Sequence, residues 1–200
     1  MSRALERTQR RWVALLGVAT LAGCGAGREA NEPRSSSGSL ALNAPAELLT
    51  RACVAGGPER CFDATDDNCN GIIDEGCGIA TGPVQFVVAW DGAQVDVDLL
   101  VTDPSGELAE VGRPLRSGLT KQRDCPGASG ECRGINLENV FLDAPLALRG
   151  NYGVRVVLES LGAENPPIVV RFGARVGPKT YRFELRLARL HDGFSATFPL

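Results

Sequence analysis

Residues 84–101 read Val-Gln-Phe-Val-Val-Ala-Trp-Asp-Gly-Ala-Gln-Val-Asp-Val-Asp-Leu-Leu-Val, and this stretch decides the fold. Large apolar residues recur at every second position on both sides of Asp91-Gly92, which is a turn signal. A period of two is typical of strands with one buried face, because successive side chains of a strand point to opposite faces. The stretch therefore predicts two β-strands whose core face carries Val84, Phe86, Val88, Trp90, Val95, Val97, Leu99 and Val101.

The same alternation continues towards the C-terminus. It predicts four further strands, over residues 152–158, 168–174, 181–187 and 194–198. Turn signals rich in Gly, Pro, Asn and Asp separate these segments, and no strong helical period competes with them. We therefore expect a mostly β protein in which residues 80–200 form one antiparallel β-sandwich domain.

Residues 107–137 interrupt this alternation with a long stretch rich in Gly and charged residues. A loop of that length is usually functional or disordered. It contains Cys125 and Cys132, and a bond between them would staple its tip; a bond to the cysteines nearer the N-terminus is the alternative. Residues 140–142 are expected to form a short strand or a packed loop.

A second signal lies upstream, where residues 66–75 read Asp-Asp-Asn-Cys-Asn-Gly-Ile-Ile-Asp-Glu. Oxygen-bearing side chains at loop positions one, three, five and nine, with Gly at six, are typical of a calcium loop, because Ca²⁺ takes about six to eight oxygen ligands. The predicted ligands are Asp66, Asn68, Asn70, the carbonyl of Ile72, Asp74 and Glu75, with Asp67 as an alternate. Position twelve is Cys77 instead of the usual Glu, so we expect weak binding, with a Kd of roughly 10⁻⁴ to 10⁻³ M. An acidic loop held by disulfides without an ion is the alternative.

Four cysteines frame this loop at regular intervals, at Cys53, Cys61, Cys69 and Cys77. Their spacing is not that of a zinc site, and no histidine lies nearby. Four cysteines allow three pairings, and the sequence leaves all three open. We therefore predict a small disulfide-rich module over residues 46–79 that begins with a helical turn at 46–53. Its disulfides are expected to stabilise it more than the ion does.

Residues 1–23 have the features of a signal peptide. Residues 2–11 contain four arginines and one Glu, and the apolar run that follows is too short to span a bilayer. Residues 21–24, Leu-Ala-Gly-Cys, resemble the bacterial lipobox, which implies cleavage before Cys24 and acylation of that cysteine. Several acyl chains on one residue give lasting attachment to a membrane. Gly25 follows, and the usual sorting pattern then implies an outer-membrane lipoprotein, on either the periplasmic or the surface side.

Residues 24–45 are rich in Gly, Ser, Ala and Pro and are expected to form a disordered, flexible tether below the lipid anchor. Setting Cys24 aside leaves six of the seven cysteines, an even number that fits three disulfides in an oxidising compartment. The formal net charge of −3 gives no basic excess. Nothing in the sequence therefore indicates nucleic acid as a partner.

Two stretches resemble known bacterial families. Glu59, Cys61, Asp66, Asp67, Cys69, Gly71, Asp74, Glu75 and Cys77 match the cysteine-rich metal-binding motif repeats of secreted bacterial proteins. The chain departs from that motif by one extra residue before Cys69 and by Asn70 in place of Asp. Residues 90–106, with Glu138-Asn139-Val140 and Gly150-Asn151-Tyr152, resemble YfaP-like domains of secreted bacterial proteins, which implies a fold and no particular activity.

A second oxygen-rich patch is expected on the sandwich itself. Asp96 and Asp98 lie two residues apart on a predicted strand and therefore share the face opposite the core stripe. With Asp124, Asn136 and Glu138 from the long loop, they predict a possible second calcium site or a polar ligand patch. Two solvated surface carboxylates, with Glu138 bound to loop backbone, are the alternative.

These observations favour a non-catalytic binding or adhesion module of the cell envelope, whose ligand is a protein or a glycan. The single histidine, His191, lies in a predicted turn, and no nucleophile elbow or phosphate loop is present in the sequence. A purely structural envelope lipoprotein is one alternative. A small hydrolase that uses carboxylates such as Asp96 and Glu138 is another.

Overall fold

The computed structural model describes residues 41–42, 46–48, 53–125, 132, 134–144 and 147–200, with the backbone alone for the first two segments. The predicted signal peptide, Cys24 and most of the predicted tether lie outside these residues. Within them the structure has ten strands: β1 (Ala41–Leu42), β2 (Ala46–Leu48), β3 (Val84–Trp90), β4 (Asp96–Thr102), β5 (Leu119–Arg123), β6 (Leu137–Leu142), β7 (Asn151–Ser160), β8 (Ile168–Val176), β9 (Lys179–Leu187) and β10 (Gly193–Pro199).

The strands form two antiparallel sheets that face each other. The smaller sheet has the order β1-β10-β7-β4, and the larger has the order β2-β9-β8-β3-β6-β5. Alternate residues of both sheets meet in one core, which is rich in aromatic side chains such as Phe86, Phe172, Phe183 and Phe198. The prediction of a mostly β, antiparallel sandwich is confirmed. No helix in the described part of the chain is long and apolar enough to cross a membrane.

Strand β3 is buried on both faces, which is unusual for an antiparallel sheet. Phe86 and Val88 face the sandwich core, whereas Val87 and Ala89 belong to a second apolar cluster with Ile73. Ala64, Ile73 and Ile79 complete that second cluster, so residues 62–79 cover part of the outer face of the larger sheet. We call the segment from Cys53 to Ile79 the knob. Because its apolar side chains pack on the sheet, the knob is part of the sandwich and not a separate appendage.

A glycine in β8 permits this contact. A Cβ on Gly173 would lie 2.4 Å from the carbonyl oxygen of Ala64 and 3.1 Å from Cδ1 of Ile73. Real Cβ atoms do not approach a backbone oxygen so closely, so any larger residue would push the knob away from the sheet. Gly173 is therefore a point of close contact between the knob and β8.

Two disulfides close the knob, and a third closes the long loop. Cys53 pairs with Cys69 and Cys61 with Cys77, each with a sequence separation of 16. Closing loops of that length is worth roughly 3 kcal/mol per bond in the chain-entropy model. The third bond joins Cys125 to Cys132, which is the first of the two pairings that the sequence left open for these cysteines. The pairing of the four knob cysteines is thus an interleaved one.

Three local predictions were wrong or incomplete. Residues 46–48 are strand β2, which pairs with β9, so the predicted helical turn does not begin there. The stretch 107–137 contains β5, an edge strand that pairs with β6. Residues 140–142 are the end of a six-residue strand, β6. In addition, Ala41–Leu42 at the end of the predicted tether pairs with β10.

The long excursion, residues 107–137, also covers one edge of each sheet. The N–H of Ala109 donates to the carbonyl of Val101 on β4 at 2.8 Å, and Val111 forms a bridge with Lys121 on β5. Edge strands left open are templates for pairing with other chains. This cover also brings β4 and β5 near each other, which positions the polar cluster described below.

Candidate metal centre

The predicted calcium loop, residues 66–75 of the knob, folds around its oxygen-bearing side chains. We call it the knob loop. Asp66 accepts hydrogen bonds from the N–H groups of Asn70 (3.1 Å, Oδ1) and Gly71 (2.8 Å, Oδ2). Asn68 Oδ1 accepts the N–H of Asn70 at 3.0 Å. These contacts wind the loop tightly about Asp66, and Gly71 takes a positive φ of 83° that a residue with a Cβ would resist.

Glu75 joins the side chains of Asn68 and Asn70. Its Oε1 accepts hydrogen bonds from the side-chain amides of both Asn68 and Asn70. Its Oε2 is buried and has no hydrogen-bond partner among the described residues. A buried carboxylate oxygen without a donor is costly unless a cation or water binds it. Asp66, Asn68, Asn70 and Glu75 therefore offer a set of hard oxygen donors that suits Ca²⁺, once the two amides present their oxygens inward.

Two other predicted ligands are used differently. Asp74 is fully buried, and its carboxylate accepts the N–H groups of Asp63 (3.2 Å) and Ala64 (3.0 Å). Burial raises the pKa of Asp74 to about 7, because its effect exceeds that of these hydrogen bonds, which lower the pKa. Asp67 accepts two hydrogen bonds at 3.0 Å from the guanidinium of Arg60. Asp74 and Asp67 thus hold the backbone and the neighbouring turn instead of the loop centre.

Glu59 belongs to the match with the cysteine-rich metal-binding motif, but it is not one of the predicted ligands. Its two carboxylate oxygens accept the N–H groups of Asp74 (3.0 Å) and Asp67 (3.1 Å). Burial and the nearby charge of Glu75 raise the pKa of Glu59. Glu59 therefore connects the two halves of the knob from behind the loop.

The loop is fixed to the larger sheet through main-chain carbonyls. The hydroxyl of Thr180 on β9 donates to the carbonyl of Gly71 at 3.3 Å, and the amide of Gln85 on β3 donates to the carbonyl of Ile73 at 3.2 Å. Ile72, whose carbonyl is the predicted ligand at position seven, lies between these two anchors, and its N–H donates to Asn70 Oδ1 at 2.8 Å. Loop and sheet are thus joined on both sides of the predicted site.

The structure also brings together part of the second predicted site. Carboxylate oxygens of Asp98, Asp124 and Glu138 lie within 4.8 Å of one another. Nζ of Lys121 lies 2.9 Å from Asp124 and 2.9 Å from Glu138. The lysine, which sequence reasoning did not include, supplies the compensating positive charge that adjacent carboxylates require. Sequence analysis could not identify Lys121 as a member of this site, because the stretch that forms β5 was predicted to be loop.

Glu138 has a structural role within this group. It is fully buried and accepts the N–H groups of Leu99 (2.7 Å) and Cys125 (3.1 Å), so it satisfies the free edge of β4. Burial raises its pKa well above the usual value, although Lys121 opposes the change. Burial likewise raises the pKa of Asp98, against the effect of Lys121.

The other two predicted members of the second site, Asn136 and Asp96, do not lie at the centre of the cluster. Asn136 donates its side-chain amide to the carbonyl of Gly92 at 2.8 Å and so belongs to a turn. Asp96 lies at the margin of the cluster, where burial and then the charge of Asp98 raise its pKa. The cluster as built is therefore an acidic group around one buried lysine.

A surface depression lies on the outer face of the smaller sheet. It has a volume of about 390 Å³ and lies between β4, β7 and β10, where Gly153 leaves the sheet surface without a side chain. Leu100, Leu108 and Arg155 stand around it. Among the described residues, no segment covers this face in the way that the knob covers the outer face of the larger sheet. The depression is therefore open to an apolar group of a ligand.

His191 lies in an exposed turn with a positive φ of 64°, and its Nδ1 is 3.4 Å from a carboxylate oxygen of Glu159. That position is at the surface. Comparison with known proteins adds no further guide to the chemistry: no family model, no curated protein and no solved structure matches the chain.

Proposed function

We propose that this protein is an exported, lipid-anchored and calcium-stabilised non-catalytic binding module of the bacterial cell envelope. The observation that carries the proposal is the knob loop. There Glu75 binds the side-chain amides of Asn68 and Asn70, and Asp66 binds the backbone N–H groups of Asn70 and Gly71. One carboxylate oxygen of Glu75 is left without a donor, and two disulfides close the segment. Oxygen ligands and disulfides belong together outside the cytoplasm, where thiols oxidise and calcium is abundant.

The ion adds to a structure that the disulfides already restrict. A Kd of about 0.1 mM in about 1 mM calcium would add roughly 1.4 kcal/mol to stability. Each knob disulfide is worth roughly twice that amount. Calcium in this proposal tightens the loop against Thr180 and Gln85 and does not determine whether the chain folds.

The ligand surface in this proposal is the outer face of the smaller sheet. The depression beside Gly153 is flanked by apolar Leu100 and Leu108 and by the cationic Arg155. Mixed apolar and polar lining of a concave surface is what ligand sites in proteins commonly show. A protein side chain or a glycan of the envelope would bind there, while Cys24 holds the module at the membrane.

The hydrolase alternative is not favoured by the position of Glu138. A general acid must reach the leaving group, whereas both oxygens of this carboxylate bind backbone N–H groups inside the sandwich. The structural-lipoprotein alternative shares the calcium site and differs only in having no ligand. Glycan-array or pull-down binding that is lost in an Arg155→Glu variant separates it from the binding module.

Calcium titration tests the proposal directly. We expect calorimetry of the purified chain to give one weak site, and thermal melts to shift upward with calcium and downward with chelator. Asp66→Asn should abolish both effects, because Asp66 is the first loop ligand. Asp91→Asn, an equal change of charge at an exposed position outside the loop, should leave both effects intact. Absence of binding heat together with unchanged melts would refute the calcium site.

A further inference from the structure

We propose that Asn70 modifies itself: in the loop without its ion, the backbone nitrogen of Gly71 attacks the side-chain amide of Asn70 and converts that residue to aspartate. The reaction requires a nucleophile with a base, a donor for the oxygen that becomes charged, and a path for the leaving group. The knob loop supplies all three at Asn70, which is exposed.

The nucleophile is the main-chain nitrogen of Gly71. Its N–H donates to Asp66 Oδ2 at 2.8 Å, so a carboxylate is already placed to accept the proton that must leave. The space beside the Cα of Gly71 is open, because a Cβ there would find only Thr180 Oγ1, at 3.8 Å. Any residue other than glycine would crowd the nitrogen with its side chain.

Two hydrogen bonds fix the side chain of Asn70. Its Oδ1 accepts the N–H of Ile72 at 2.8 Å, and negative charge develops on that oxygen when the new bond forms. Its Nδ2, the leaving nitrogen, donates to Glu75 Oε1. Both contacts restrict the rotation of the side chain, and reaction within a restricted geometry is faster than in a free chain.

The atoms balance as follows. A bond forms between the Gly71 nitrogen and Cγ of Asn70, and the bond from Cγ to Nδ2 breaks. The proton from Gly71 goes to Asp66, the departing nitrogen takes up a proton from water and leaves as ammonia, and a five-membered succinimide remains. The hydroxide left from that water then takes the proton from Asp66. Water then opens the ring at Cγ to give aspartate, or at the main-chain carbonyl to give isoaspartate. The only co-reactant is water.

The consequence for the site rests on the proposed calcium function. Aspartate at loop position five adds a charged ligand, and affinity in such loops rises with ligand charge. Isoaspartate lengthens the main chain by one methylene and breaks the turn from Asn70 to Ile72, so that form should bind more weakly. A bound ion ligated by Asn70 Oδ1 competes with the Ile72 N–H and should slow the reaction.

The experiment incubates the purified full chain at pH 8 with chelator, with calcium, and in urea with reductant. Peptide mapping by mass spectrometry then follows the exchange of –NH₂ for –OH at each asparagine. We expect native chain in chelator to react at Asn70 several times faster than the reduced, unfolded chain, and calcium to slow it. Asn151, exposed and followed by Tyr152, is the internal control and should remain unchanged.

Asp66→Asn removes the base and should slow the reaction by roughly tenfold or more, whereas Asp91→Asn should not change it. A native rate no faster than the unfolded rate would overturn the proposal, and this comparison needs no variant that must fold. Reaction at equal rates with and without calcium would support the modification but count against calcium at Asn70. The comparison of native with unfolded chain thus tests the modification of Asn70, and the comparison with and without calcium tests calcium binding at Asn70.

Discussion

Gly173→Ala is the sharpest test of the contact between knob and sheet. The added methyl would meet the Ala64 carbonyl oxygen at 2.4 Å and the carbonyl carbon and Ile73 Cδ1 at 3.1 Å. The first contact is with backbone, which cannot rotate away as a side chain can. The knob must therefore shift away from β8, and this loosens the packing of Ile73 against Val87 and Ala89.

The expected cost follows from two opposing effects. Overpacking a well-packed site costs about 1–3 kcal/mol. Replacing glycine by alanine also restricts the unfolded chain, which returns about 0.4–1 kcal/mol where the folded backbone accepts it. At Gly173 the first effect should exceed the second, because the clash involves main chain. We expect a net loss of about 1–2 kcal/mol, which corresponds to a fall in Tm of roughly 2–8 °C for a chain of this size.

Urea denaturation measures this loss as a lower midpoint at unchanged slope. Gly153→Ala is the matched control, because it makes the same change in a strand of the smaller sheet. Its Cβ would meet Thr102 Oγ1 at 2.5 Å, a side-chain hydroxyl that can move, so we expect a change of less than about 1 kcal/mol. If Gly173→Ala were as well tolerated as Gly153→Ala, the knob would not pack on β8 as described.

Three further predictions concern the rest of the sandwich. Lys121→Met should lower the free energy of unfolding by about 3–5 kcal/mol, because it leaves Glu138 buried without its partner. The double change with Glu138→Gln removes the buried charge and keeps an oxygen for the Leu99 N–H, so it should recover part of that loss in urea melts. Burial opposes ionisation of Asp103, but hydrogen bonds from serine and backbone donors outweigh it and lower the pKa of Asp103. Asp103 should therefore stabilise the fold above about pH 4 and lose that effect as the pH falls through its lowered pKa. In Asp103→Asn, the free energy of unfolding should depend less on pH in this acidic range. Replacing both Cys125 and Cys132 by Ser should cost roughly 2.5 kcal/mol, and an unchanged melt would show that the loop bond does not restrain the unfolded chain.

The strands of the sandwich could be predicted because their alternation is strong. Each of β3, β4, β7, β8, β9 and β10 overlaps a predicted strand, since apolar residues at every second position leave no other way to bury one face. Strand β5 could not be predicted. Its sequence, Leu-Thr-Lys-Gln-Arg, has a single apolar residue, because it lies at a sheet edge and its second core-facing residue is Lys121.

The candidate site was predictable in kind but not in detail. The alternation of Asp and Asn before Gly71 indicated a calcium loop, and the structure joins Asn68 and Asn70 to Glu75 and winds the backbone at Gly71 around Asp66. The inward turn of Asp74 was not predictable, because it depends on the amides of Asp63 and Ala64, where Ala64 has a positive φ of 55°. Spacing alone does not reveal which of several carboxylates a backbone will use.

The sequence does contain one signal for the union of knob and sandwich. Val87 and Ala89 are apolar at positions of β3 that should be polar if one face met water, and a continuous apolar run indicates burial on both faces. The knob, with fewer than about 40 residues, is too small to bury a core of its own. It therefore needs the sheet to cover Ile73, and the sheet needs the knob to cover Val87. Each half supplies the other's missing apolar surface, so a cation that tightens the loop must raise the free energy of unfolding of the whole sandwich and not of the knob alone.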